Sequence, residues 1–336
     1  MKCPISRLFS LLLSATLLFS CNNAEKKTED FPIKDDPFIN EVTNKIAENP
    51  NKADLYFERA TLLQRIEEDS LALNDYKKAV SLDTTKAQYY SAIGDLLFEH
   101  KDISGSVGWL QKAIKLNPND PKAQLKIAKM FIFLNDYNKA FAAINTVLKQ
   151  DVYNPEAYFL KGITYKNIKD TAKAISSFQT ALNAAPEYRE AMMQLGLLYA
   201  AKHDPLALQY YNNAYKLDST DVSPIYNAGL YYLGKDDIEA AKKEYYKAIM
   251  IDRNYANAFF GMGFALMQQD SLEKARRQFD IVVGIEPTNV EAYHNRGLCS
   301  EMLGRKAEAL ADYEQALTFN PDYAPAKEAK KRVSGK

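Results

Sequence analysis

Small and large apolar residues recur along this chain with a single beat. Traced backwards from Ala316, one small position reads Ala316, Val282, Ala248, Ala214, Ala181, Val147, Ala113 and Ala79, in steps of 34 residues broken by one of 33. Three residues before each stands a large residue: Tyr313, Phe279, Tyr245, Tyr211, Phe178, Ile144, Leu110 and Tyr76. Seven before each stands a second small one: Ala309, Ala275, Ala241, Ala207, Ala174, Ala140, Ser106 and Ala72. A third small series runs upstream through Gly297, Gly263, Gly229, Gly196, Gly162, Ala128, Gly94 and Ala60. Three residues beyond seven of these lie Leu63, Leu97, Phe131, Tyr165, Tyr199, Tyr232 and Leu266.

A fixed period near 34 predicts a repeat architecture with two helices per unit. Small residues let the two helices of a hairpin approach closely, and the large residue at each Tyr313-like position fills the gap to the next unit. Pro118, Pro186, Pro287 and Pro321 stop the second helix, because proline cannot continue one. A heptad coiled coil would show neither this beat nor regular stops. The residue classes at this spacing resemble the tetratricopeptide repeat family over residues 53–323, in eight units starting at about 53, 87, 121, 155, 189, 222, 256 and 290.

The resemblance implies an all-α fold, a right-handed α-solenoid of about eight helix pairs. Solenoid ends need caps with a polar outer face. PFINEVTNKIAENP (37–50) is the expected N-terminal capping helix and APAKEAKKRVSGK (324–336) the C-terminal one. The 33-residue unit carries the turn KHDP (202–205), one residue short, and a local kink is expected there.

The beginning of the chain is different. Lys2 and Arg7 precede the apolar run LFSLLLSATLLF (8–19). That run is shorter than the ~20 residues a spanning helix needs, and a basic start with a short apolar run is the pattern of a secretory signal. LFSC, with Cys21 after Ser20, resembles the lipobox of bacterial lipoproteins, although Phe19 departs from the small residue usual there. The resemblance implies a signal over 1–20, lipidation of Cys21, and a polar tether over 21–36. The fifteen residues after Cys21 (22–36) reach at most ~50 Å. Asn22 lacks the aspartate that retains enterobacterial lipoproteins at the inner membrane, so the outer membrane and a periplasmic soluble part are favoured. Of the three cysteines, Cys3 leaves with the signal and Cys299 falls inside a helical pattern as a small buried hydrophobe.

Lys+Arg and Asp+Glu both number 43. A neutral balance argues against a nucleic-acid partner, which calls for a basic face. In tetratricopeptide solenoids the first helices line a groove, and the resemblance carries groove positions two, five, nine and twelve onto each unit. The first three units give a mixed polar wall: Asp54, Phe57, Thr61 and Gln64, then Gln88, Ser91, Asp95 and Phe98, then Lys122, Leu125, Lys129 and Ile132. The last five turn apolar, with Phe159, Ile163, Met193, Leu197, Tyr226, Leu230, Leu233, Phe260, Phe264, Met267, His294, Leu298 and Met302. The helix-pair core is already filled by the small and large series, so this strip is expected to be free for an apolar or amphipathic segment of a partner protein. Burial of the strip between tightly wound neighbours, or by self-association, is the competing expectation.

Lys122, Lys126 and Lys129 are spaced four and three apart, hence on one helix face, as a secondary basic stripe that is either solvated or open to an acidic partner. The carboxylate clamp of chaperone-binding relatives is not reproduced, since Phe57, Thr61 and Ala92 do not match it. Trp109 and Tyr210 interrupt a polar series on the second helices and suggest a smaller convex contact.

Catalytic and metal chemistry is not expected, nor any cofactor. His100, His203 and His294 sit in different units and form no metal-ligand pattern. The function expected is therefore an envelope-anchored scaffold or adaptor in outer-membrane assembly, secretion or cell-wall complexes. A regulatory subunit of an envelope enzyme complex and a self-assembling scaffold are the alternatives.

Overall fold

The computed structural model describes residues 36–335, so the signal, Cys21 and nearly all of the tether lie outside the described residues. Among the described residues every element is a helix, and there is no strand. Helix α1 spans Pro37–Glu48. Eight pairs follow: α2 (Ala53–Arg65) with α3 (Asp69–Leu82), α4 (Ala87–Glu99) with α5 (Ile103–Leu116), α6 (Pro121–Phe133) with α7 (Tyr137–Gln150), and α8 (Pro155–Asn167) with α9 (Thr171–Ala184). Then come α10 (Arg189–Ala200) with α11 (Leu206–Leu217), α12 (Ser223–Leu233) with α13 (Ile238–Ile251), α14 (Ala256–Gln268) with α15 (Leu272–Ile285), and α16 (Val290–Met302) with α17 (Lys306–Phe319). Helix α18, Ala324–Ser334, closes the series. Each helix packs on its partner and on the next pair, which makes an all-α solenoid.

Local chemistry sets the helix ends. Asp102, Asp136, Asp170 and Asp237 cap second helices, and Asp120, Asn154 and Asn289 cap first helices, each accepting a backbone N–H of the first turn. Helices α5, α9, α15 and α17 end two residues before Pro118, Pro186, Pro287 and Pro321. The residue before each proline is extended, with ψ between 83° and 93°, as the proline ring demands. The turn inside each pair carries one left-handed residue: Glu67, Lys101, Asn135, Lys169, His203, Asp236, Asp270 and Gly304. Only the last is glycine, so composition gave no hint of the rule.

The core is one contact repeated. A Cβ on Gly162 would lie 2.5 Å from the Phe178 ring, so the glycine is what lets that ring lie flat on the first helix of its own pair. Tyr211, Tyr245, Phe279 and Tyr313 sit on Gly196, Gly229, Gly263 and Gly297 in the same way and are buried. The large residue therefore packs first on its own unit. Tyr245 also meets the next unit, where a Cβ on Gly261 would come within 2.7 Å of it.

The ends are closed by single helices. Helix α1 takes the place of a second helix and buries Ile39, Val42 and Ile46. It stops at Glu48, with Asn49 as its cap and Pro50 beyond it in a turn, short of the expected end. Helix α18 buries Ala326 and Ala329, and its Arg332 donates to both oxygens of Glu301 on α16. In the 33-residue unit, α10 and α11 have 12 residues each, and the missing residue is taken from the first turn of α11, which starts only after Pro205.

Candidate partner-binding groove

The apolar strip is built in two layers. At unit position five, Phe57, Phe159, Tyr226, Phe260 and His294 each set a ring against the buried ring nineteen residues later in the same pair. Centroid separations run from 5.4 Å for Phe57–Tyr76 and Phe260–Phe279 to 6.0 Å for Tyr226–Tyr245. Phe159, Tyr226 and His294 each meet a second ring, from Tyr188, Tyr255 and Tyr323 at the junction with the next unit. The expectation that the strip plays no part in helix packing fails here. These rings are the inner edge of the core, and each is only half exposed.

Above this base the strip is more open. Ile163, Met193, Leu233, Phe264, Met267 and Leu298 are half-buried, while Leu197 and Leu230 are each 40% exposed and Met302 is 54% exposed. Leu197 and Leu230 flank a solvent-open cavity between α10 and α12, which reaches Tyr211. The Phe264 ring packs on both Phe260 and Phe279, and Ile163, Met193, Leu233 and Met267 also rest partly on the core.

A polar atom lies beneath the strip. The Tyr245 hydroxyl is buried and has no hydrogen-bond partner among the described residues. In the first and last units the matching hydroxyls are satisfied: Tyr76 donates to Gln64 Oε1 at 3.0 Å and Tyr313 to Glu301 Oε2 at 2.6 Å. In the sixth unit Leu230 and Leu233 stand at positions nine and twelve and supply no acceptor. Burial pushes the Tyr245 pKa far above its ordinary value, so the group stays a neutral donor. Sequence reasoning missed it. The signal was available in the apolar residues at positions nine and twelve of a unit whose large residue is tyrosine.

His294 lies at the C-terminal end of the strip. Burial holds its pKa below the usual histidine value, Arg332 adds to this, and Glu301 and Glu291 oppose it. It is neutral at pH 7 and can give or take one hydrogen bond.

The basic stripe does not survive as a unit. Lys126 pairs with Asp95 of α4 at 2.5 Å, and Lys129 with Glu156 of α8 at 2.6 Å, leaving Lys122 without an ion pair among the described residues. The charges bridge successive first helices, as Lys86 does to Asp54 at 2.6 Å. Trp109 and Tyr210 are likewise committed: Trp109 packs on Tyr90 with Lys112 over its face, and Tyr210 stacks on Tyr199. Both are half-buried, and neither marks a free contact.

Among the described residues no cluster of His, Cys, Asp or Glu could hold a metal ion. His100 Nε2 lies 2.9 Å from Asp69, and His203 occupies a left-handed turn where its carbonyl accepts from Tyr231. The Cys299 thiol is buried and its pKa is pushed up to about 11 by that burial, which leaves it unreactive. No helix among the described residues is long and apolar enough to cross a membrane.

Residues 155–188 and 223–255 match one tetratricopeptide repeat profile, and residues 290–323 match another. No curated protein matches the chain in sequence. Among solved structures, a tetratricopeptide repeat protein from Parabacteroides merdae ATCC 43184 is similar over 74% of this chain and 98% of its own, with TM-score 0.57 and 15% identity. The C-terminal part of a tetratricopeptide repeat-containing protein from Cytophaga hutchinsonii is similar over 70% of this chain and 97% of its own, with TM-score 0.54 and 18% identity. PilW, described as a widely conserved type IV pilus biogenesis factor, is similar over 62% of this chain and 97% of its own, with TM-score 0.54 and 20% identity. At these identities the likeness is one of fold. Residues 155–188, 223–255 and 290–323 are thus tetratricopeptide repeats within an α-solenoid, and such repeats suggest a protein-interaction scaffold.

Proposed function

We propose that this protein is an envelope-anchored adaptor that holds an apolar or amphipathic segment of a partner protein along the first helices of its last five units. The observation that carries the reading is the two-layered strip. Its aromatic base is fixed by the core, while Leu197 and Leu230 above it are each 40% exposed. Exposed apolar side chains in a row on a rigid base suit a segment with matching apolar residues. The unpartnered Tyr245 hydroxyl adds a donor that an occupant displacing Leu230 or Leu233 would reach. Anchoring rests on the lipobox-like LFSC and Cys21, with the tether giving reach.

Exchange of Leu197 and Leu230 for glutamate tests the groove, since both side chains are exposed enough to change without unfolding the unit. The proposal expects an unchanged helical spectrum and loss of a co-purifying partner. A partner retained by the folded double variant contradicts it. Membrane fractionation of Cys21→Ser tests the anchor separately, and a variant still firmly on the membrane contradicts that part.

A further inference from the structure

The second helices turn an outer face to solvent, and that face changes character once. Two residues to either side of the buried Ala248, α13 carries Tyr246 and Met250. At the same places α9 has Gln179 and Asn183, α11 has Asn212 and Lys216, and no other unit has an apolar side chain at either. One residue before the same small position, α15 alone is apolar, with Ile281 where α13 has Lys247. Tyr246 is 60% exposed, Met250 54% and Ile281 39%. The repeat shows that Tyr246 and Ile281 face one valley, between α13 and α15. Asp280, which matches Tyr246, reaches forward to Arg296, and Arg296 also holds Asp312 of α17. Lys247 and Thr146, which match Ile281, line the valleys behind their own helices.

Cations border these apolar residues. Lys274 and Arg277 stand on the α15 side of the valley, at the positions from which Lys139 and Ala142 of α7 line the valley between α5 and α7. Both are exposed and have no ion pair among the described residues. Lys139 and Lys173, which match Lys274, are held by the capping carboxylates Asp136 and Asp170. Helix α15 has Ser271 at its cap instead, so Lys274 lacks that partner. The carboxylates at hand are engaged: Glu239 with Lys242, Glu273 with Arg305 and Asp280 with Arg296. Glu244 faces the other way, into the valley between α11 and α13.

We infer that the outer valley between α13 and α15 is a second docking face, for an acidic amphipathic segment of a partner polypeptide. It lies on second helices, apart from the apolar strip on the first helices. The occupant's apolar side chains lie on Tyr246, Met250 and Ile281, and its carboxylates meet Lys274 and Arg277. Charge complementarity sets the sign, because the apolar residues are bordered by two unpaired cations while the neighbouring carboxylates already have partners. The Arg277 guanidinium can clasp a carboxylate with two parallel hydrogen bonds. A lipid surface fits less well. A flat bilayer calls for apolar and cationic residues across several units, and here the combination is confined to two adjacent helices.

The test is fluorescence anisotropy of the peptide fluorescein-Leu-Glu-Glu-Leu-Leu-Glu-Glu-Leu amide, titrated with the full chain. Saturable binding is expected, weakened about tenfold or more by Tyr246→Gln with Met250→Asn, and likewise by Lys274→Glu with Arg277→Glu. The first exchange installs the pair that α9 carries, Gln179 and Asn183, and all four replaced side chains are exposed, so the native helical spectrum is expected in both variants. Should either unfold, Tyr246→Gln alone and Lys274→Gln with Arg277→Gln carry the comparison. Absence of saturable binding, binding unchanged in either variant, or equal binding of the peptide with lysine in place of glutamate overturns the inference. Phosphatidylglycerol vesicles bound through the same residues, with the peptide left unbound, would give the face to lipid and overturn it too.

Discussion

The ring of Phe159 lies 5.6 Å from that of Phe178, a fully buried residue on the facing helix, while Leu230 two units on is 40% exposed on the same groove-lining series. Position along the groove therefore does not say what a side chain does. Phe159→Ala removes part of the core edge and is expected to cost about 2 kcal/mol in stability, whereas Leu230→Ala is expected to cost less than about 1 kcal/mol. Chemical denaturation of the two variants checks the order. Equal costs would mean that the strip is not layered.

Glycine at the ring seat is required by contact. Gly162→Ala sets a Cβ 2.5 Å from the Phe178 ring, and overpacking of this kind costs about 1–3 kcal/mol. Gly108, in the interior of α5, has nothing within 4 Å of such an atom. Gly108→Ala is expected to stabilise by about 0.5–1 kcal/mol through helix propensity. Thermal melts of the pair should move in opposite directions.

The turns hold a small reserve of stability. Lys169 has φ 64°, a left-handed conformation that costs a side-chain-bearing residue about 1 kcal/mol. Lys169→Gly is expected to gain up to about 1 kcal/mol. The same exchange at Asn135 should gain less, because asparagine tolerates this region. A lower denaturation midpoint for Lys169→Gly would contradict the assignment of that turn.

Acid should loosen the C-terminal end in two stages. His294 has its pKa lowered by burial and by Arg332, so the unfolded chain takes up a proton at higher pH than the folded one. Its contribution is intact above the ordinary histidine value of 6.5 and declines as pH falls below it. Glu301 has its pKa lowered first by Arg332, then by the Tyr313 hydroxyl, against burial. Its contribution is intact above its ordinary value of 4.5 and is lost as pH falls through the folded value. His294→Gln should flatten the fall in melting temperature between about pH 7 and 5.5, and Glu301→Gln the fall below about pH 4.5. Unchanged profiles in both would contradict the picture.

The fold was legible because stacked units must repeat the same contact. Gly162, Ala174, Phe178 and Ala181 recur as a set, and any unit that lost the set would fail to seat on its neighbour. Proline marked the ends of α5, α9, α15 and α17 for an equally local reason. The groove face was legible as a face, and its depth was not, because periodicity reports direction and Phe159 and Leu230 share one. The lysine stripe misled because its partners, Asp95 and Glu156, lie 31 and 27 residues away in other units. The orphaned Tyr245 hydroxyl emerges only when each unit is compared, position by position, with what its neighbours place at the same point.

The central claim is that the exposed rim above the aromatic base receives another polypeptide. It is tested most directly by a photoreactive residue at Leu230 in the full chain, irradiated in its native cells and compared with the same residue at exposed Lys149 on α7. A discrete adduct to one other protein from Leu230, absent from Lys149 and competed away by the Leu197→Glu exchange, is the predicted result. Adducts only to the chain itself, or the same adducts from both sites, would contradict it.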